Sequence, residues 1–360
     1  QFTFYYIVTN QETFNFLKNK NYNVIFYNKD SLINRFSLFL NSINQIRKII
    51  DRLKLNSFSN FLNKRGINFS IFITPSKLVY FLKFKDFVST LWELQFKYTP
   101  NLKEYKNKHF DLFDRDSIAK FISLYSFKIF VGSSKSKDDF SRFYYCDKSR
   151  IIEKMTPSSI VNKFEKMSVK ANENKIGNYL FYPAQFWSHK NHMYIVEAFL
   201  EFKKKNIDIK CVFAGSNKGN LKNIKQKISK YGLDNYFIIY DKYLSDEEII
   251  QLYINCKAVV IPSITGTYTF PHVEAFYFEK IVFSYKDNLD KIFHDKIMEI
   301  NIDDFKSLEN KYSEFLENKD DQINKMIKSN KKFYQENISV LSNTKIYKKV
   351  IDQYLSDINK

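Results

Sequence analysis

The chain has 360 residues, 44% of them hydrophobic and 18% aromatic, with 57 Lys and Arg against 39 Asp and Glu, a net charge of +18. That length accommodates two domains of ordinary size with well-filled cores. Three widely spaced cysteines, Cys146, Cys211 and Cys256, exclude a disulfide framework or a zinc site and fit a reducing compartment, and no window approaches the roughly 18 uninterrupted apolar residues of a membrane-spanning helix.

In chain order, the first half alternates apolar segments, predicted as strands at 2–8, 23–27, 68–74, 87–91, 128–132 and 151–152, with helical stretches. The Phe- and Leu-rich stretch 78–96 is interrupted by Lys83, Lys85, Asp86 and Glu93. Asp114-Arg115-Asp116 has the form of an Asp-x-Asp metal motif, but it lies in a polar segment ahead of a helix and reads as capping. Ser133 or Ser134 caps the helix that runs to Phe143. Residues 1–150 carry 25 Lys and Arg against 12 Asp and Glu, a net of +13; residues 151–360 carry 32 against 27, a net of +5. A basic first half suits an anionic partner such as nucleic acid, anionic lipid or a phosphate-linked acceptor. Solvated lysines on an AT-biased composition account for it equally well.

After a polar stretch, 162–178, the alternation restarts. Strands are expected at 179–182, 209–213, 236–239, 258–261 and 281–285, and helices at 191–206, 220–231, 246–255 and 271–278. Ser245 and Glu248 have the spacing of a capping box. Gly215 follows a strand, where a tight turn is expected. From 304 onward the chain reads as helical and polar. Strands alternating with helices of this length imply parallel sheets covered on both faces, and two such blocks imply two doubly wound α/β domains. The expected boundaries are 1–165, 175–340 and a last helix, 341–360, packing back on the first domain. Ligands then bind at the carboxyl ends of the strands.

Two segments have the physics of a site. From Tyr182 to His192 a strand ends at Pro183, a polar and aromatic loop follows, and a helix begins near Asn191, so backbone N–H groups, the positive end of a helix and Lys190 meet at one point. That suits a phosphate, and the physics alone leaves the ligand open. From Ile261 to Phe276 a strand ends at Pro262, a small-residue loop with Gly266 follows, and a helix opens at Pro271. Glu274 in its first turn either complements the helix dipole or, at a strand-end cleft, accepts from sugar hydroxyls.

Taken together, 183–192, Val212-Phe213-Ala214-Gly215, 243–253 and 262–275 occur in the order and spacing of a family 4 (group 1) glycosyltransferase, and the chain resembles that family over about 179–285. The donor loop resembles the subgroup that reads Gly-Pro-Thr-Asn there. Weaker likeness extends to 89–96, similar to an acceptor-side loop, and to 130–140. The resemblance implies the GT-B fold, two Rossmann-like domains facing across a cleft with C-terminal helices. It implies that Lys190 binds the donor diphosphate, that Gln185 stands where many members carry a second basic residue, and that Glu274 contacts the donor ribose. Lys190 and Glu274 are then the catalytic residues. Gly266 stands where other members carry a first Glu. Thr267, Tyr268 and Thr269 supply loop N–H groups for diphosphate or sugar, Tyr243 and Leu244 pack the base, and Gly215 and Trp187 complete the donor side. Glu93, Gln95 and Phe96 fall on the acceptor side, where Glu93 replaces an Asp and Phe96 a His. His272 replaces a Pro.

The family's Gly-rich loop after a first strand is not visible, and 2–8 resembles its second strand. The first domain is therefore expected to lack both.

The activity implied is transfer of a hexose such as mannose or rhamnose, with retention, from a nucleotide-sugar to a lipid-linked or saccharide acceptor in surface glycan synthesis (capsule, O-antigen, lipopolysaccharide). No metal or other cofactor is expected. Partners are the nucleotide-sugar, a glycan or polyprenyl-diphosphate-linked acceptor and an anionic membrane surface, which implies a cytoplasmic protein at the inner face of the membrane. His189, His192 and His272 do not read as metal ligands, since His189 and His192 stand three apart at a helix start and lack a nearby carboxylate. The rivals are an inactive nucleotide-sugar- or glycan-binding protein of the same fold, and a basic nucleic-acid-binding protein, for which no motif is present.

Overall fold

The structure is a computed structural model that describes residues 3–43, 46–47, 49–50, 57–83, 85–92, 94–100, 102, 112–167, 172–317 and 321–358. The chain divides into two compact units, residues 1–90 with 116–129, and residues 91–115 with 130–360.

In the first unit, β1 (Tyr6–Val8), α1 (Gln11–Asn19), β2 (Val24–Phe26), α2 (Leu32–Ser42) and α3 (Ser57–Asn63) precede β3 (Ser70–Phe72) and β4 (Phe87–Thr90). β1 pairs with β2, and β3 with β4, both in parallel. Side-chain caps explain where α1 and α2 start: Asn10 accepts from the Thr13 N–H at 2.9 Å and Ser31 from the Asn34 N–H at 3.3 Å. Phe121 stacks on Phe87 over the core, and Arg47 lies 4.5 Å from the ring centres of both Phe121 and Tyr125. α2 turns the other way, leaving Leu32, Ile33, Phe36 and Phe39 more than 60% exposed.

The next elements are α4 (Gln95–Tyr98), α5 (Leu112–Tyr125) and β5 (Lys128–Val131). Asp114 and Asp116 sit inside the first turns of α5 rather than ahead of it. The first two residues of β5 belong to the first unit and the last two to the second. α6 (Ser134–Tyr144) follows, and Ser133 is its cap, accepting from the Ser136 N–H at 3.1 Å. β6 (Ile151–Glu153) and α7 (Ser159–Lys166) lead into the main sheet of the second unit.

That sheet is built from β7 (Tyr179–Pro183), β8 (Lys210–Ala214), β9 (Phe237–Tyr240), β10 (Ala258–Ile261), β11 (Ile281–Ser284) and β12 (Met298–Glu299). Between them run α8 (His192–Lys204), α9 (Leu221–Lys230), α10 (Asp246–Asn255) and α11 (Phe270–Tyr277). The strand order is β12-β11-β10-β7-β8-β9, and every neighbouring pair is parallel. The strands are apolar runs because helices cover both faces; β7, β8, β10 and β11 are almost wholly buried. The chain leaves β7 in one direction through β8 and β9, and returns to the other side of β7 at β10. The carboxyl ends of β7 and β10 are thus the switch point of the sheet, where a crevice opens.

The capping box at α10 is complete, with the Glu248 N–H on Ser245 Oγ at 3.2 Å and the Ser245 N–H on Glu248 Oε2 at 2.7 Å. Helices α12 (Lys306–Glu317), α13 (Gln322–Asn337) and α14 (Val340–Ile358) complete the unit. α14 sets Tyr347 edge-on against Phe130 at 5.2 Å, and Asn343 Oδ1 accepts from buried Lys154 Nζ at 3.0 Å. Burial lowers the Lys154 ammonium to about 8. The three cysteines are buried, and none is in a disulfide. No described helix is long and apolar enough to cross a membrane.

Candidate functional site at the switch point of the second sheet

A cleft of about 360 Å³ opens where β7 and β10 end, and all its walls belong to the second unit. One wall is the loop after β7, with Gln185, His189 and Lys190. The other is the loop after β10, with Thr265, Gly266, Thr267, Tyr268 and Thr269. Trp92 closes one side. The two loops are tied together, since the Ile264 N–H and Ser263 Oγ both donate to the carbonyl of His189, at 3.0 and 3.3 Å.

Lys190 is held by its backbone. The hydroxyl of fully buried Tyr182 donates to the Lys190 carbonyl at 2.7 Å. Asn191 then takes a left-handed conformation, φ 54°, which Asn tolerates, and turns the chain into α8. The positive end of α8 lies at this corner, where the Tyr194 N–H turns back to the Asn191 carbonyl at 3.1 Å. Under this corner His192 is wholly buried, its ring 4.7 to 5.0 Å from those of Tyr182, Phe186 and Phe213. Burial, with the charges of Lys190 and His189 adding to it, holds His192 down at about 3. Burial and then Lys190 do the same to His272. Both histidines are kept neutral chiefly by burial, and Lys190 adds a fixed positive charge to the cleft wall, suited to an anion.

Of the residues the sequence singles out, Gln185, Lys190, Gly266, Thr267, Tyr268 and Thr269 line this cleft. Trp187, Gly215, Tyr243, Leu244 and Glu274 are not among its walls. Trp187 packs beside the loop, donating its indole N–H to Gln185 Oε1 at 2.9 Å. Tyr243 is 87% exposed. Leu244 is buried and lines a different cavity, of about 500 Å³, between α10 and the segment 172–176. Tyr268 turns its hydroxyl away, accepting the Thr156 N–H at 3.2 Å, and stacks its ring on Phe293.

Glu274 departs furthest from the expected contact with ligand. Its carboxylate is turned inward, with Oε1 accepting from Ser158 Oγ and Oε2 from the Tyr253 hydroxyl, each at 2.6 Å. Burial raises its carboxyl above the ordinary range against the pull of those two bonds. The partners lie 116 and 21 residues away, so no local signal announces them. Gly215 is likewise a packing residue. The backbone of Ala184 and Gln185 passes so close that a Cβ there would lie 2.2 Å from the Ala184 carbonyl oxygen.

On the expected acceptor side, Gln95 hydrogen-bonds Thr99 and Phe96 is buried, and neither lines the cleft. Glu93 lies outside the described residues. Trp92, His189 and Thr265 join the walls without having been singled out for this role. Among the described residues no three His, Cys, Asp or Glu side chains converge as a metal site.

Residues 163–333 match the family described as glycosyl transferases group 1. A glycosyltransferase from Rickettsia africae superposes with a TM-score of 0.66 at 18% identity, covering 96% of this chain and 90% of its own. Anabaena Alr3699/HepE, crystallised with UDP and glucose, superposes with a TM-score of 0.64 at 12% identity, covering 97% and 91%. WaaG, a glycosyltransferase involved in lipopolysaccharide biosynthesis, gives 0.59 at 10% identity, covering 92% and 94%. No curated protein sequence matches the chain. The fold is that of GT-B glycosyltransferases, and the family match covers 163–333, a little under half of the chain.

Proposed function

We propose that this chain is a retaining, nucleotide-sugar-dependent hexosyltransferase acting on a lipid-linked or saccharide acceptor in surface glycan synthesis. The observation that carries the reading is the cleft at the switch point, where Lys190, two residues ahead of α8, faces the loop 265–269. The Anabaena neighbour, which holds UDP and glucose, supports a nucleotide-sugar as donor. WaaG supports the surface-glycan setting.

Chemically, an acceptor hydroxyl attacks C1 of the hexose on the face from which the diphosphate departs. The C1–O bond breaks, the hydroxyl proton passes to the departing phosphate oxygen, and configuration is retained. Charge grows on that diphosphate, and a fixed ammonium with backbone dipoles stabilises it without reorganising. Lys190 supplies that charge in place of a metal. Gln185 and the 266–269 backbone orient the donor, and Glu274 acts from behind the cleft as a structural carboxylate.

The test is turnover. Purified protein is offered UDP-, GDP- and dTDP-hexoses with and without EDTA, and nucleoside diphosphate release and thermal shift are read together. Release with one donor class, persisting in EDTA, is expected. A thermal shift without release, with any acceptor, would make the chain a binding protein; neither signal would remove the nucleotide-sugar reading.

The protein works at the inner face of an anionic membrane. The exposed Leu32, Ile33, Phe36 and Phe39 of α2, beside Arg35, have the apolar-plus-basic make-up of an interfacial helix, in a half of the chain with a net charge of +13. Co-sedimentation with phosphatidylglycerol vesicles should exceed that with phosphatidylcholine and fall with salt. Equal binding to both would sink the idea.

A further inference from the structure

One hydroxyl in the cleft wall has its hydrogen-bond sense fixed from outside the cleft. Ser284 Oγ lies 3.0 Å from the Ile261 carbonyl, His272 Nε2 2.9 Å from Ser284 Oγ, and His272 Nδ1 3.0 Å from Thr269 Oγ1. A carbonyl oxygen only accepts, so Ser284 gives it its single proton. Ser284 must then accept from His272, which places the imidazole proton on Nε2. Nδ1 is left as a lone pair, and Thr269 donates to it. Every member of this relay but Thr269 is buried, His272 and Ser284 to 1% exposure.

We propose that Thr269 is a specificity-determining residue that offers ligands an acceptor only, and that His272 is the positioning residue that makes it so. The chemistry that fits is a hydroxyl of the donor's sugar, which brings a proton. A carboxylate oxygen at the same place meets lone pairs and is rejected, so a neutral hexose is favoured over its uronate. The inference rests on the nucleotide-sugar reading. Binding of the nucleoside diphosphate alone, which needs no sugar contact, separates the two: if wild-type protein binds none of UDP, GDP and dTDP, that reading fails first.

Two measurements test the inference itself. ¹⁵N NMR of the histidine side chains should show His272 as the neutral Nε2–H tautomer at pH 7; an Nδ1–H tautomer overturns the assignment. Thr269→Val keeps the shape and removes the acceptor. It should weaken binding of whichever of UDP-glucose, GDP-mannose and dTDP-glucose wild type binds, by about tenfold. Affinity for the matching diphosphate should be unchanged, and Thr269→Ser should restore binding to within about twofold. Ser284→Ala removes the acceptor for Nε2–H, lets His272 donate to Thr269 through Nδ1, and frees the Thr269 proton for the cleft. The ratio of hexose to uronate affinity should then fall. Equal hexose affinity in Thr269→Val and wild type, or an unchanged ratio in Ser284→Ala, overturns the proposal.

Discussion

Lys190→Ala is expected to lower kcat/KM by about 10²–10³, roughly 3–4 kcal/mol of transition-state stabilisation, the loss seen when one preorganised donor to a developing oxyanion is removed. The size follows from the setting. The charge sits at the junction of the two loops that form the cleft, and its field reaches His192 and His272, both of which it helps to hold neutral. The ammonium therefore acts in a partly desolvated region, where it counts for more than in water.

The variant should still fold, because what anchors this corner is the Lys190 carbonyl, which the Tyr182 hydroxyl binds whatever side chain is present. The loss should appear mainly in kcat if Lys190 meets the leaving diphosphate, since that charge grows only in the transition state. A rise in KM alone would make Lys190 a ground-state contact. Unchanged turnover would remove it from the mechanism. Lys190→Arg keeps the charge and changes its geometry, and should recover part of the rate.

Much of the second unit is legible in the sequence because its physics is local. Strands covered on both faces read as short apolar runs, and the runs ending at Pro183, Ala214, Tyr240, Ile261 and Ser284 fall within a residue or so of expectation. The Ser245–Glu248 box is written in four consecutive residues. β12, only Met298–Glu299, is too short to carry a pattern. What the sequence does not show is which way polar side chains turn. Glu274 is drawn inward by Ser158 and Tyr253, and the Tyr268 hydroxyl by Thr156, 112 residues away. Such partners are brought together only by the fold. The relay behind Thr269 is half legible: Thr269 and His272 are three residues apart on one helix turn, but Ser284 comes from β11.

Gly215→Ala is the second large effect, and it arises from backbone rather than from chemistry. A Cβ at this position would lie 2.2 Å from the Ala184 oxygen, 2.6 Å from its carbonyl carbon and 2.8 Å from the Gln185 nitrogen. No rotamer relieves such a clash, so the loop after β7 must move. That loop is pinned on its far side, with the Phe186 N–H on the Ser216 carbonyl at 3.0 Å and the Asn220 N–H on the Phe186 carbonyl at 3.2 Å. Part of the strain therefore remains, at about 1–3 kcal/mol, and Tm should fall by roughly 2–10 °C. The displaced residues carry Gln185 directly and Lys190 through the short turn that follows. A shift of about 1 Å at a positioning loop costs as much as 10²-fold in rate, so kcat/KM should fall even at temperatures where the variant is fully folded. Gly66→Asn provides the contrast. Gly66 has φ +67° and nothing within 4 Å of its would-be Cβ, so its only demand is the left-handed conformation that Asn accepts. Its stability should change by less than about 1 kcal/mol. If Gly215→Ala melts with wild type and turns over normally, the loop after β7 is free to move, and the rigid corner that holds Lys190 is not what the cleft depends on.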